Sequence, residues 1–259
     1  MAGGLVAILA LASLPGDWGM AYGQTIGPGG AGNKPGIRHA DTIQLRNTLT
    51  SGVNDIGYTY GLASDTVVLM CDWDGNGSQT PAIIRGGTWF IRNSNSSGVA
   101  DLVFDYGASG DTPVCGDWDG NGTETVGIRR GDTFFLRNTN TAGFADLVFT
   151  YGLSSDRAII GDWDGNNTDT VGVFRAGNPN IWELRNSNSS GVNDIGFQYG
   201  LSGDSPIVGD WDANATATPG IVRVSGGTLI WQLRNSNSSG VNDIGFAYGL
   251  SGDAPLVWR

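Results

Sequence analysis

Four short stretches of this chain carry the residue types that bind hard cations, and they share one spacing. The fullest is Gly116-Asp117-Trp118-Asp119-Gly120-Asn121-Gly122-Thr123-Glu124-Thr125, with close copies beginning at Asp72, Asp162 and Asp210. Carboxylates stand first and third and an amide fifth: Asp72, Asp74 and Asn76; Asp117, Asp119 and Asn121; Asp162, Asp164 and Asn166; Asp210, Asp212 and Asn214. A loop that curls round a point brings these positions to one side. Calcium receives its oxygen ligands in this way, with a glycine at position six for the sharp turn. Thr80, Thr125 and Thr170 at position nine complete three of the candidate metal-ligand sets, and Thr218 holds that place in the fourth loop. The expected cofactor is therefore calcium. With two carboxylates per loop and no bidentate Glu at position twelve, the sites are weak, on the order of 10⁻⁴–10⁻³ M. The same residues also suit a metal-free hairpin whose Asp and Asn side chains accept backbone N–H groups as Asx turns.

The loops are not equivalent. Those at 72–80 and 117–125 keep both carboxylates, the amide and both glycines. In the third, Asn167 replaces the position-six glycine, and Asn tolerates positive φ better than most residues. The fourth has Ala213 and Ala215 where glycines belong, so its turn is expected to be strained.

What must position these loops is a repeated unit. The tyrosine of a Tyr-Gly pair recurs at Tyr60, Tyr106, Tyr151, Tyr199 and Tyr248, and an Arg-Asn pair keeps step with it from Arg46 to Arg234. Each unit reads as four short β-rich runs separated by turn residues, with no helical period. Four strands in about 45 residues is the size of a propeller blade. Five such units, about 35–70, 71–115, 116–160, 161–208 and 209–258, predict an all-β, five-bladed propeller over residues 35–259. Residues 35–60 supply three strands, and Ala254-Pro255-Leu256-Val257-Trp258 is a first strand with no loop after it. The last strand is thus expected to complete the first blade and remove both sheet edges. Residues 1–34 read as an apolar leader-like segment followed by an irregular linker. The run from Gly3 to Ser13 fits either a secretory signal or a strand, and Asp17-Trp18 looks like a decayed loop copy.

Composition narrows the function classes. Formal net charge is -11 and the 14 basic residues are spread through the repeats, which argues against nucleic acid and anionic membranes as partners. His39 is the one histidine, and the two glutamates are Glu124 and Glu183. Because that histidine belongs to the irregular first unit, neither a Ser-His-Asp nor a multi-histidine centre is expected. The aspartates repeat blade by blade, whereas a catalytic centre is asymmetric, so no enzyme is expected. Cys71 aligns with Gly116 and Cys115 with Met70. Neighbouring strand positions point to opposite faces. A mutual disulfide is therefore not expected, and the pair reads as two small buried residues.

Gly-Asp-Trp-Asp-Gly-Asn-Gly ahead of a β-rich unit is similar to the FG-GAP/VCBS class of extracellular propeller repeats, related to the integrin α-subunit propeller. The resemblance spans about residues 35–258. It implies a calcium-stabilised, extracellular or cell-surface propeller used in adhesion or as an accessory module, with a protein or glycan ligand or further domains of a larger polypeptide as partners. The chain departs from the integrin-type loop at position nine, where threonine replaces an aspartate ligand.

The remaining repeated residues have packing explanations. Trp73, Trp118, Trp163 and Trp211 belong one to each loop and suit packing between sheets. Trp89, Trp182 and Trp231 interchange with Phe134 and Ile43, as core residues do. The arginines at 46, 92, 137, 185 and 234 each precede an aspartate by nine residues, which predicts ion pairs across the hairpin of the third and fourth strands. Arg130-Gly131-Asp132 spells an adhesion tripeptide, yet Gly-Asp is also a good hairpin turn. Two other functions fit the pattern: a lectin with Trp- and Asp-lined pockets between blades, and a glycosidase with paired carboxylates on the ring axis.

Overall fold

A strand covered on both faces needs apolar residues throughout, whereas one covered on a single face needs them only at alternate positions. The repeat contains both kinds. The computed structural model, which describes residues 32–259 and the backbone of Tyr22–Gly23, arranges them by that rule. In the second blade the first strand, Val68–Cys71, is buried along its length and Thr80–Arg85 over most of it. Thr88–Ile91 alternates, and Leu102–Asp105 is mostly exposed. Burial falls from the axis to the rim because the inner strands are sandwiched between neighbouring blades.

The chain is a five-bladed β-propeller of four-stranded antiparallel sheets, with no helix among the described residues. The innermost strands, in blade order, are Ala254–Trp258, Val68–Cys71, Thr112–Gly116, Arg157–Gly161 and Ser205–Gly209. Ala254–Trp258 pairs with Lys34–His39, with Trp258 opposite Lys34 and Ala254 opposite Arg38, so the C-terminal strand closes the ring as expected. Tyr22–Gly23 lies parallel to Ile159 and Ile160 on the inner edge of the fourth blade. The leader, strand and decayed-loop readings of residues 1–18 lie outside the described residues.

The repeated aromatics tie each blade together and then to its neighbour. Trp182 stacks on Phe197 at 5.9 Å and Trp231 on Phe246 at 5.8 Å, inside the core. Their indole N–H groups donate to the carbonyls of Tyr199 and Tyr248, as Trp89 does to Tyr106. Each buried ring thereby keeps its polar atom satisfied. The tyrosine hydroxyls then reach the next blade: Tyr60 donates to the Phe90 carbonyl, Tyr106 to Phe135, Tyr199 to Gln232 and Tyr248 to Gln44. All seven tryptophans named from the sequence are at most 4% exposed, so they pack rather than line a surface.

Two sequence expectations are corrected. Cys71 and Cys115 form a disulfide, with Cα atoms 6.6 Å apart. They lie on the innermost strands of adjacent blades, which stack face to face. Residues that meet there must come from opposite faces of their own sheets, so the offset taken as evidence against pairing is what pairing requires. The third-strand arginines, for their part, mainly brace the following loop. Arg46, Arg185 and Arg234 donate to the carbonyls of Val53, Val192 and Val241, Arg92 to Val99 at 2.8 Å and Arg137 to Phe144 at 2.5 Å. The aspartates accept loop N–H groups, as Asp55 does from Asn47 at 2.7 Å. Arg92 and Asp101 reach an ion-pair distance of only 3.8 Å. A six-residue polar loop leaves many backbone groups unpaired, and these two side chains answer opposite halves of that demand.

Candidate functional site

The acidic loops begin where the innermost strands end, so their first residues stand close to the ring axis. Asp72, Asp117, Asp162 and Asp210 are buried, while Asp74, Asp119, Asp164 and Asp212 are exposed. In each loop the first carboxylate accepts backbone N–H groups from positions five and six. For Asp117 the donors are Asn121 at 3.0 Å and Gly122 at 2.7 Å, and Asp72, Asp162 and Asp210 repeat the arrangement. The position-five amide oxygens of Asn76, Asn121, Asn166 and Asn214 each accept the N–H two residues on, at 2.8 Å. These are Asx turns, and they hold the loop in a curl with or without an ion.

The curl brings the first and third carboxylates together. Burial pushes the carboxyls of Asp72, Asp117 and Asp162 up, the loop N–H bonds oppose it, and the neighbouring Asp74, Asp119 and Asp164 add to the rise. In the fourth loop burial, and then the Asp210 charge, raise Asp212. A carboxyl raised by burial beside a second carboxylate is what a bound cation would relieve, so the carboxylate and amide residues fit calcium. The position-nine threonines are placed otherwise. The Thr125, Thr170 and Thr218 hydroxyls donate to the carbonyls of Gly116, Gly161 and Gly209 within the sheet, and Thr80 is buried.

The strain expected in the fourth loop is present. Ala213 and Ala215 have φ of 61° and 68°, and Asn167 has 66°. Left-handed backbone costs an L-residue with a Cβ about 1–2 kcal/mol, offset partly by the chain entropy that glycine loses. Ala213→Gly and Ala215→Gly should each stabilise the protein by roughly 0.5–1 kcal/mol, read as an increase in the urea midpoint at unchanged slope.

Position eight of each loop was not singled out from the sequence. Its occupants are Gln79, Glu124, Asp169 and Ala217, and Asn33 takes the same place before the second strand of blade one. All five are at most 1% exposed. They clasp adjacent blades. The Glu124 N–H donates to the Asp72 carbonyl, and the Asp72 N–H returns a bond to Glu124 Oε2 at 2.8 Å. Asp169 and Asp117 repeat the exchange at 2.8 and 2.7 Å, as do Asn33 and Asp210 at 2.7 and 2.9 Å. Ala217 keeps the backbone half, from its N–H to the Asp162 carbonyl. Burial pushes Glu124 up to about 8 and Asp169 well above its ordinary value, Asp169 also feeling the Glu124 charge. The sequence signal was there: position eight varies among Gln, Glu, Asp and Ala while the Asp-Trp-Asp start, the Asn at five and the Thr at nine are kept in all four loops.

The opposite face is tied by other acids. Asp65, Asp111, Asp156 and Asp204 cap their own linkers and bind Arg85, Arg130, Arg175 and Arg223 of the next blade at 2.6–2.8 Å. His39 takes the fifth place against Asp253 at 2.8 Å. Arg130 is thus part of an interblade clamp and Gly131, at φ 62°, makes the hairpin turn, so the Arg-Gly-Asp tripeptide has a structural use.

The rim on the side of the acidic loops carries one exposed apolar residue per blade, at Val53, Val99, Phe144, Val192 and Val241, each at least 79% exposed. These are the residues whose carbonyls the arginines hold. No protein-family model matches this chain, and no curated protein or solved structure matches it either.

Proposed function

We propose that this chain is a non-catalytic propeller module that holds calcium in its Asp-Trp-Asp-Gly-Asn-Gly loops and serves in adhesion or binding outside the cell, as the FG-GAP/VCBS resemblance implies. The observation that carries the reading is the pairing of a buried and an exposed carboxylate at the same place in each of four preorganised loops. The Cys71–Cys115 disulfide supports an oxidising compartment. The five braced, exposed apolar residues support a repeated contact surface for a protein partner.

The other two readings have less behind them. A lectin would need aromatic platforms, and the seven tryptophans repeated in the loops and third strands are buried. The groove of about 270 Å³ between the second and third blades has Asp65 and Asp111 engaged by Arg85 and Arg130. A glycosidase would need carboxylates within reach of a sugar, and Glu124 and Asp169 are each 1% exposed.

Calcium that binds the folded state alone raises its melting midpoint by mass action, by about 1–2 kcal/mol per site at a few millimolar over a Kd on the order of 10⁻⁴–10⁻³ M. A melt in a few millimolar calcium should therefore sit several degrees above one in EDTA, with magnesium giving less. Asp117→Ala with Asp119→Ala should shrink the difference. Superimposable melts, with no calcium heat in calorimetry, would leave the loops as capped turns.

A further inference from the structure

The clasp at position eight works without charge. Asn33 and Gln79 hold their places in the ring as neutral amides, Asn33 donating to Gln79 Oε1 at 3.2 Å and exchanging bonds with Asp210. Ala217 manages with backbone alone. Carboxylates at the two successive positions 124 and 169 are therefore not explained by clasping. Both are buried, and burying an ionised carboxylate without a partner is among the most costly arrangements in a protein. One of the four oxygens makes this concrete. Asp169 Oδ2 accepts the Asp117 N–H, while Asp169 Oδ1 is buried with no hydrogen-bond partner. The strongest charges acting on Asp169 are Glu124, Asp117 and Asp162, all acidic. Glu124 has Gln79 Nε2 at 3.3 Å on its Oε1 and feels the positive charge of Arg259. The cationic compensation is thus on one side of the pair, and the orphaned oxygen is on the other.

We propose that Asp169 Oδ1 and Glu124 bind a single calcium-class cation near the propeller axis, a site separate from the ligand sets at positions one, three and five of the loops. Carboxylate and amide oxygens are hard donors, which select calcium over softer metals. The ion stitches the third blade to the fourth through the same residues that clasp them. This site does not depend on calcium in the loops.

The test is calorimetric titration with calcium chloride of the EDTA-stripped full chain and two sets of variants. Asp169→Asn, alone and with Glu124→Gln, keeps amide oxygens for the clasps as Asn33 and Gln79 do, and folding is checked by circular dichroism and melting. Asp74→Asn, Asp119→Asn, Asp164→Asn and Asp212→Asn together remove the exposed loop carboxylates. The expected result is loss of one calcium equivalent in the axial variants, with one equivalent retained in the loop variant. Unchanged stoichiometry in a folded axial variant overturns the axial site, as does a loop variant that binds no calcium. A wild type that binds a single equivalent, abolished by Asp169→Asn alone, would sustain the axial site while removing the loop reading.

Discussion

In EDTA the melting midpoint should fall as pH rises from 6 to 9, and Glu124→Gln should remove a large part of the fall. Glutamate in an unfolded chain releases its proton near 4.5, whereas burial holds the Glu124 carboxyl up to about 8. Between those values the native state keeps a proton that the unfolded state has lost. Stability then decreases with pH, is fully present below about 4.5 and levels off above about 8. The whole displacement is worth on the order of 5 kcal/mol, and the part between pH 6 and 8 about 3 kcal/mol, or several degrees for a chain of this size. Asp169, raised for the same reason and also by Glu124, acts in the same direction. Asp65 and Asp111 act in the opposite one, because their arginine partners depress their carboxyls. Their contribution is lost only as pH falls into the acid range, outside this window. Glu124→Gln can preserve the bond from the Asp72 N–H, so a flat profile in the variant would isolate the charge. A wild-type midpoint that does not move between pH 6 and 9 would show that the carboxylate is solvated or compensated in the native state.

The ring was legible in the sequence because propeller architecture is written in spacing. The recurrence of Tyr60 through Tyr248 gave the blade count, and the spare strand at Ala254–Trp258 gave the closure. The side chains that meet across blade boundaries were harder to read. Alternation along a strand assigns residues to faces of one sheet, but the cysteines are joined between two sheets, where the parity rule reverses. The Arg–Asp spacing correctly indicated a shared loop. It misassigned the partners, because opposite charge was weighed above the loop's unpaired carbonyls and N–H groups. Glu124 and Asp169 looked like ordinary polar loop residues. Their burial arises only because each loop's eighth position is covered by the blade before it, a contact made about 50 residues away in the chain.

Breaking the Cys71–Cys115 disulfide should cost about 4 kcal/mol, the chain-entropy expectation for joining residues 44 apart in sequence. The bond closes one whole repeat in the unfolded chain, and in the folded chain it joins the inner strands of two adjacent blades. Reduction also changes what lies beside Glu124, whose carboxylate oxygen is within 4.8 Å of both sulfurs. Two thiols would then share a buried site with a carboxyl already displaced upward. Guanidinium unfolding of the oxidised chain, the reduced chain and Cys71→Ala/Cys115→Ala separates these contributions. The oxidised chain should have the highest midpoint. The reduced and double-alanine chains should lie well below it, differing from each other by the smaller packing loss of two buried sulfurs. Alkylation followed by mass measurement reports the bond directly: the native and the unfolded, unreduced chains should both take up no label, and the reduced unfolded chain two. Labelling of the unreduced chain on unfolding, with midpoints that do not separate, would mean that the cysteines face each other across the blade boundary as free thiols. The stability of that boundary would then rest on the Glu124–Asp72 clasp, the Tyr106–Phe135 bond and the Asp111–Arg130 clamp.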